Sequence, residues 1–221
     1  MDTKIILSTD TATNLPQSFT VCYNDLKFLF RPVDMCNLIK TDKKFYVKHT
    51  NDTAAVKQMF GSKVAKFFYV ASLADKKIAY KSIVEQIIKN KKNIPNYYHF
   101  DWFVELDGEV VACVGARTPD PNFNLGLSNV LEISATVINK YRGKGFATQM
   151  LRLFLSELKP SIKHLVKDAD LFDITLSTIP TNVQVNKIAL ANNFKLITTV
   201  VDDIDFVLFT KKIEMDIYLL H

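Results

Sequence analysis

The sequence predicts a mixed α/β (α+β) domain, and three observations lead there. Asp107-Gly108 sits between two β-rich runs, the short-range mark of a hairpin. Apolar, helix-like segments recur, with Ile83, Ile87 and Ile88 at helical spacing and a second such run opening at Phe146. The elements read in the order β-α-α-β-β-β-α-β-α-β-β, which mixes hairpins with crossover helices in one sheet.

Short apolar segments at Lys4–Leu7 and Leu26–Pro32 open the chain, separated by a stretch rich in Thr, Asn and Ser. "KKFYVKHT" (Lys43–Thr50) reads as a strand. "NDTAAVKQMFGS" follows as a short helix, with Asn51 or Asp52 placed to cap it and Gly61 to stop it. A longer helix runs from Ser72 to Asn93. Ser72 can cap it, Asp75 supplies a short capping box, and Lys89, Lys91 and Lys92 lie at the negative end of its dipole. The hairpin strands lie within Tyr98–Thr118, and a Pro/Asn-rich loop leads to the strand "VLEISATVI" (Val130–Ile138). The next helix extends to about Leu158 and is broken by Pro160. "FDITLSTI" is a strand, "TNVQVNKIALANNF" a helix, and "KLITTVV" with "DFVLFTKKI" an antiparallel pair. This places one domain over residues 41–221. Residues 1–40 form an extension whose patches "KIIL" and "LKFLFRPV" predict packing on the domain or an added edge strand.

The chain has only six glycines, yet Gly143 and Gly145 stand one residue apart in "NKYRGKGFATQML". A tight turn that needs positive φ would account for them. A Walker A loop needs Gly-x4-Gly-Lys-Ser/Thr, and a dinucleotide fingerprint needs a third glycine and an early βαβ unit; neither is present. The other reading is an anion cradle. The strand ends near Ile138, helix amides after Gly143 point outwards, and missing Cβ atoms let a phosphate approach the backbone. Arg142 and Lys144 add positive charge at the rim.

"RGKGFA", Arg142 to Ala147, fits the Q/R-x-x-G-x-G/A motif of the GNAT superfamily (GCN5-related N-acetyltransferases), and the chain resembles that family over roughly residues 43–213. A strand precedes the motif and "FATQMLRLFLSEL" follows it, as in the family. "NVQVNKIALANNFK" resembles the family's N-x-x-S-x-x-V-x-E-K-x-G-F helix, with Asn193 where glycine is usual. Asn best tolerates the left-handed conformation that such a helix end needs. "FYVKHTNDTAAV" and "GFATQML" are similar to the RimJ/RimL branch, which acetylates protein N-termini.

The resemblance implies a mostly antiparallel central sheet with helices on both faces and two central strands splayed apart to admit pantetheine. It implies acetyl-CoA as co-substrate and direct transfer of acetyl to a primary amine: a protein N-terminus, a lysine or a small molecule. It assigns Ala135, Thr136 and Val137 to the pantetheine, and Arg142, Gly143, Lys144, Gly145, Phe146, Ala147 and Thr148 to the pyrophosphate. Asn182, after Pro180, would face the cofactor arm. Family members often carry a Tyr or Ser that protonates the departing thiolate, but Ala189 and Val185 stand at those positions. A thiol with a free pKa of roughly 8.5 leaves readily without an acid. The gap nonetheless keeps open a non-catalytic acyl-CoA-binding or partner-binding module on the same fold.

Glu132 is the candidate base, with Ser134 and Thr136 alternating onto its face. A salt-bridged strand glutamate fits the same position. Asp101 and Glu105 share a face and offer a place for a cationic amine, or are simply an exposed strand face. His49, His99, His164 and His221 show no ligand spacing, so no metal site is expected.

Composition narrows the rest. A hydrophobic fraction of 48% with 23% charged residues fits a soluble chain with a core. A net charge of +5 falls short of the concentrated charge of a nucleic-acid binder, so no nucleic-acid partner is expected. Cys22, Cys36 and Cys113 form neither a zinc ribbon nor a disulfide framework and suit a reducing compartment. No signal peptide and no run of about 20 apolar residues is present, which predicts a cytoplasmic protein without a membrane partner. Monomer and homodimer are both compatible.

Overall fold

The computed structural model describes residues 4–7, 15–23, 25–34, 42, 45, 85, 87–94, 96–119, 129–206 and 209–220. The chain divides into two compact units: Met1–Leu38 with Tyr98–Asp173, and Ile39–Tyr97 with Ile174–His221.

The first unit is a meander. Strands β1 (Lys4–Leu7), β2 (Phe19–Tyr23), β3 (Leu26–Val33), β4 (His99–Leu106), β5 (Glu109–Arg117) and β6 (Val130–Val137) pair in sequence order. Every pairing is antiparallel. The β4–β5 turn is the expected one, with Asp107 at φ 52° and Gly108 at φ 79°. The amino-terminal extension is thus part of the sheet. β3 pairs with β4 from Phe28↔Leu106 to Val33↔Asp101.

Helix α1 (Phe146–Ile162) buries Met150, Phe154, Leu158 and Ile162 along one stripe. The Phe154 ring meets Trp102 edge-on at 5.1 Å and stacks with Phe30 at 6.1 Å. Trp102 is fully buried, and its indole N–H donates to the Gln17 carbonyl at 3.3 Å. The core therefore lies between α1 and the sheet face carrying Phe30 and Trp102. The opposite face, with His99, Asp101 and Phe103 on β4, is left for other work.

In the second unit β7 (Asp173–Thr178), β9 (Phe209–Leu220) and β8 (Lys195–Phe206) are adjacent in that order, antiparallel throughout. Helix α2 (Val183–Ala191) precedes β8. Residues 87–93 are helical, within the span expected for the longer helix, whose first half lies outside the described residues. The predicted helix at 51–61 also lies outside them.

Three expectations are corrected. Helix α1 does not stop at Leu158 but continues through Pro160 to Ile162. Leu158, Ser161 and Ile162 are buried, so packing of the last turn outweighs the one amide that proline removes. Phe45 is helical, within Lys43–Thr50 where a strand is expected; the rest of that span lies outside the described residues. A three-residue apolar run is too short for alternation to separate strand from helix. β2 is unforeseen, because polar Thr and Ser around it masked a run whose Phe19 and Val21 turn inward.

Candidate active site

The glycine loop lies between β6 and α1. A 3₁₀ turn at Asn139–Tyr141 reverses the chain, and Arg142 follows in extended conformation. Gly143 and Gly145 adopt φ of 74° and 75°, where L-residues are strained, and no atom lies within 4 Å of a Cβ built on either. Both glycines are therefore required by backbone conformation, and the space above each is open.

Gly145 is the N-cap of α1 and no side chain caps the helix. Gly145 thus brings no side-chain acceptor to the exposed, positive end of this 17-residue helix. Phe146 packs against Tyr141 at 5.1 Å and Phe28 at 5.7 Å, which anchors the start of the helix. Ala147 and Thr148 are half-buried in its first turn.

The two cations differ. Arg142 turns back on the loop: Nε donates to the Val137 carbonyl at 2.7 Å and Nη1 to Asn139 Oδ1 at 2.9 Å. It braces the β6–α1 junction. Lys144 is exposed at the tip. Lys140 pairs with Glu109 at 2.8 Å, which holds that carboxyl below its usual value and raises the lysine.

β6 carries the remaining predicted residues. Its first half is buried, whereas Ser134 and Ala135 are exposed and Thr136 is half-buried. Glu132 accepts from Arg117 Nε at 3.0 Å and Nη2 at 2.8 Å, with only 11% of its side chain exposed. The sequence-level alternative of an ion-paired strand glutamate is the arrangement found.

Register places a polar face on β4, β5 and β6. His99 faces Arg117, which faces Glu132. Asp101 faces Gly115, which faces Ser134. His99 Nε2 lies 2.8 Å from Asp101 Oδ2. Glu105 is held by Arg31 at 2.8 Å. Cys113, next along β5, is a buried thiol pushed well up by desolvation and by the Asp101 charge, so it is neutral and no nucleophile. The His99–Asp101 pair and Gly115 are the residues the sequence reading underused. A lone glycine inside the β-rich run "VACVGAR" is the available signal, since it marks close approach of neighbours.

Asn182 belongs to the second unit. Its Oδ1 accepts from the Val185 amide at 3.4 Å as the N-cap of α2. Ala189 is fully buried and Val185 half-buried, and neither carries a proton to give. Asn193 has φ 65°, the left-handed helix end expected of it. Among the described residues, no group of three or more His, Cys, Asp or Glu is placed to hold a metal ion. No helix among them is long and apolar enough to cross a membrane.

Residues 66–169 match the model of the acetyltransferase (GNAT) family. No curated protein matches the chain in sequence. Solved structures share its fold. The ribosomal alpha-N-protein acetyltransferase RimL, in complex with coenzyme A, superposes with TM-score 0.56 at 11% identity, covering 87% of this chain and 93% of that one. Spermidine N-acetyltransferase from Vibrio cholerae, with CoA and spermine, gives 0.54 at 12% identity over 87% and 94%. Mycobacterium smegmatis RimJ, with CoA-disulfide, gives 0.53 at 16% identity over 88% and 81%.

Proposed function

We propose that the chain, whose residues 66–169 match the acetyltransferase (GNAT) family model, transfers an acetyl group from acetyl-CoA to a primary amine. The observation that carries this reading is the loop itself. Two left-handed glycines with open space above them lead into a helix whose first amides have no side-chain cap. That cradle fits a pyrophosphate, which needs close backbone approach and donors rather than side-chain bulk.

In this reading the amides from Gly143 to Thr148 hold the pyrophosphate, Lys144 adds an exposed charge, and Arg142 keeps the loop in shape. The pantetheine runs along Ala135, Thr136 and Val137, where β6 becomes exposed. Bound acetyl-CoA supplies an activated thioester; the protein has to align an amine with it and take up a proton. Of the two catalytic candidates, Ser134 stands open beside Ala135, and Glu132 serves as the partner of Arg117. The acceptor is any primary amine that reaches this face.

A thermal melt with and without acetyl-CoA tests the reading. Ligand at a hundredfold excess over its dissociation constant stabilises by about 2.7 kcal/mol, an upward shift of about 5–10 °C for a chain of this size. The shift is expected in the wild type and lost in a folded Gly143→Glu variant. No shift with acetyl-CoA or longer acyl-CoAs would reduce the glycine pair to a turn.

A further inference from the structure

Strand β8 is the last strand of its sheet, and its outer edge has no partner among the described residues. Its neighbour β9 is buried from Asp216 to Leu219, whereas Lys195 to Thr199 of β8 are all exposed. Both faces are open. Leu196 and Thr199 share a face with Tyr218 and Asp216, while Lys195 and Thr198 share the other with Leu219 and Ile217. Leu196 and Ile197 are 52% and 42% exposed.

Open edges are ordinarily blunted by short length, proline or interspersed charge. β8 runs for 12 residues, and its stretch "LITTVV" (Leu196–Val201) is uncharged, rich in β-branched residues and free of proline and glycine. The ribbon it belongs to is also thinly supported. β8 and β9 pair from Lys195↔Leu219 to Phe206↔Phe209, but β7 backs β9 only from Asp216 to Leu220. From Val200↔Met215 to the turn, the two strands have no third beside them among the described residues. A two-stranded hairpin is marginal in water and gains stability from further strands.

A bulge decides which strand can join. The register shifts between Leu196 and Thr198, so Ile197 is the extra residue and Leu196 shares a face with Thr199. An antiparallel second β8 centred on Thr199 then has Thr199 opposite Thr199 and Thr198 opposite Val200. Past the bulge, Leu196 falls opposite Val201 and Lys195 opposite Asp202. In every one of these pairs the two residues belong to the same face of the sheet. Apolar meets apolar, and cation meets anion. A parallel copy in register would instead set Lys195 against Lys195 and the Asp202-Asp203 run against itself.

We propose that β8 pairs with β8 of a second copy of this chain, antiparallel across a two-fold axis at Thr199. The inference does not depend on acetyl transfer. The two ribbons become one four-stranded sheet, held by two Lys195–Asp202 cross-strand pairs. Such an interface is self-complementary and closes at two chains, so the open edge is covered and does not propagate into fibres.

Sedimentation velocity of the full chain tests this. A single strand pair is a small interface, so dissociation is followed over about 1–100 µM, with a dimer expected at the upper end. Lys195→Asp sets like charges opposite each other in both pairs and should weaken the dimer about tenfold or more, as should Asp202→Lys. The double exchange, Lys195→Asp with Asp202→Lys, should restore it. Within one chain the two positions are separated by about 20 Å of extended strand, so rescue reports pairing between chains. Thr199→Cys, on the axis, should give a disulfide-linked dimer on mild oxidation, and Lys195→Cys should not.

A monomer at every concentration overturns the proposal. So does a dimer that Lys195→Asp leaves unchanged, a charge exchange that fails to rescue, or cross-linking at position 195 instead of 199. If the charge variants do not fold, Thr199→Cys decides, and absence of its cross-link overturns the pairing.

Discussion

Arg117 and Glu132 face each other on β5 and β6 and are joined twice, Nε at 3.0 Å and Nη2 at 2.8 Å from the same carboxylate oxygen. Glu132 is thereby engaged as the ion-pair partner of Arg117. Glu132→Gln should therefore leave kcat within about tenfold of wild type, below the contribution of a positioned base. Stability should fall by about 1 kcal/mol or less, since Arg117 is half exposed and solvent screens the pair. Steady-state kinetics and urea titration check both. A hundredfold fall in kcat with acetyl-CoA binding intact would return the base to Glu132.

Lys144 and Arg142 flank Gly143 but should respond differently to substitution. Lys144 is exposed at the loop tip and acts through charge alone. Lys144→Gln should weaken acetyl-CoA binding by about three- to tenfold at low salt, and the difference should shrink as ionic strength rises. Arg142→Gln removes the bonds to Val137 and Asn139. Its effect should persist at high salt, because the loop itself loses its brace. Calorimetric titration at two salt concentrations separates the two.

Local geometry was legible in the sequence wherever a backbone conformation admits few residue types. Gly143, Gly145, Asp107, Gly108 and Asn193 were all read as turn or cap residues, and all have positive φ. The stripe on α1 was legible for the same reason, since its period is local. The polar face was not. Asp101, Gly115 and Ser134 meet only through the register of three strands, and a one-residue slip in either pairing would separate them. The end of α1 was misread because Pro160 is a strong local signal, overridden by the burial of Ser161 and Ile162. The place of β3 beside β4 was open for a related reason: 68 to 78 positions separate the partners, from Val33↔Asp101 to Phe28↔Leu106, and nothing local announces the pairing.

Asn193 gives a test of the local reading on its own. Its φ of 65° lies in the left-handed region, where a Cβ is penalised and Asn is penalised least. Asn193→Ala should destabilise by about 1 kcal/mol, and Asn193→Gly should be neutral or slightly stabilising. Thermal melts of the pair check the order. An alanine variant as stable as wild type would mean the C-cap geometry relaxes at no cost.

Glu157 supplies the pH dependence. It sits among the buried residues of α1, and desolvation raises its carboxyl above the ordinary 4.5, with the neighbouring Ser156 offsetting part of the effect. A carboxyl whose folded pKa is raised favours the folded state at low pH, where it is protonated in both states and brings no buried charge. That contribution is lost as pH rises through the folded pKa, and at neutral pH the native helix carries a desolvated charge. Glu157→Gln removes the charge and keeps the shape. Its melting temperature should match wild type at pH 3.5 and exceed it at pH 7.5, the gap opening above pH 4.5. A variant that melts lower than wild type at pH 7.5 would show that the ionised carboxylate is stabilised by a partner worth more than its burial costs.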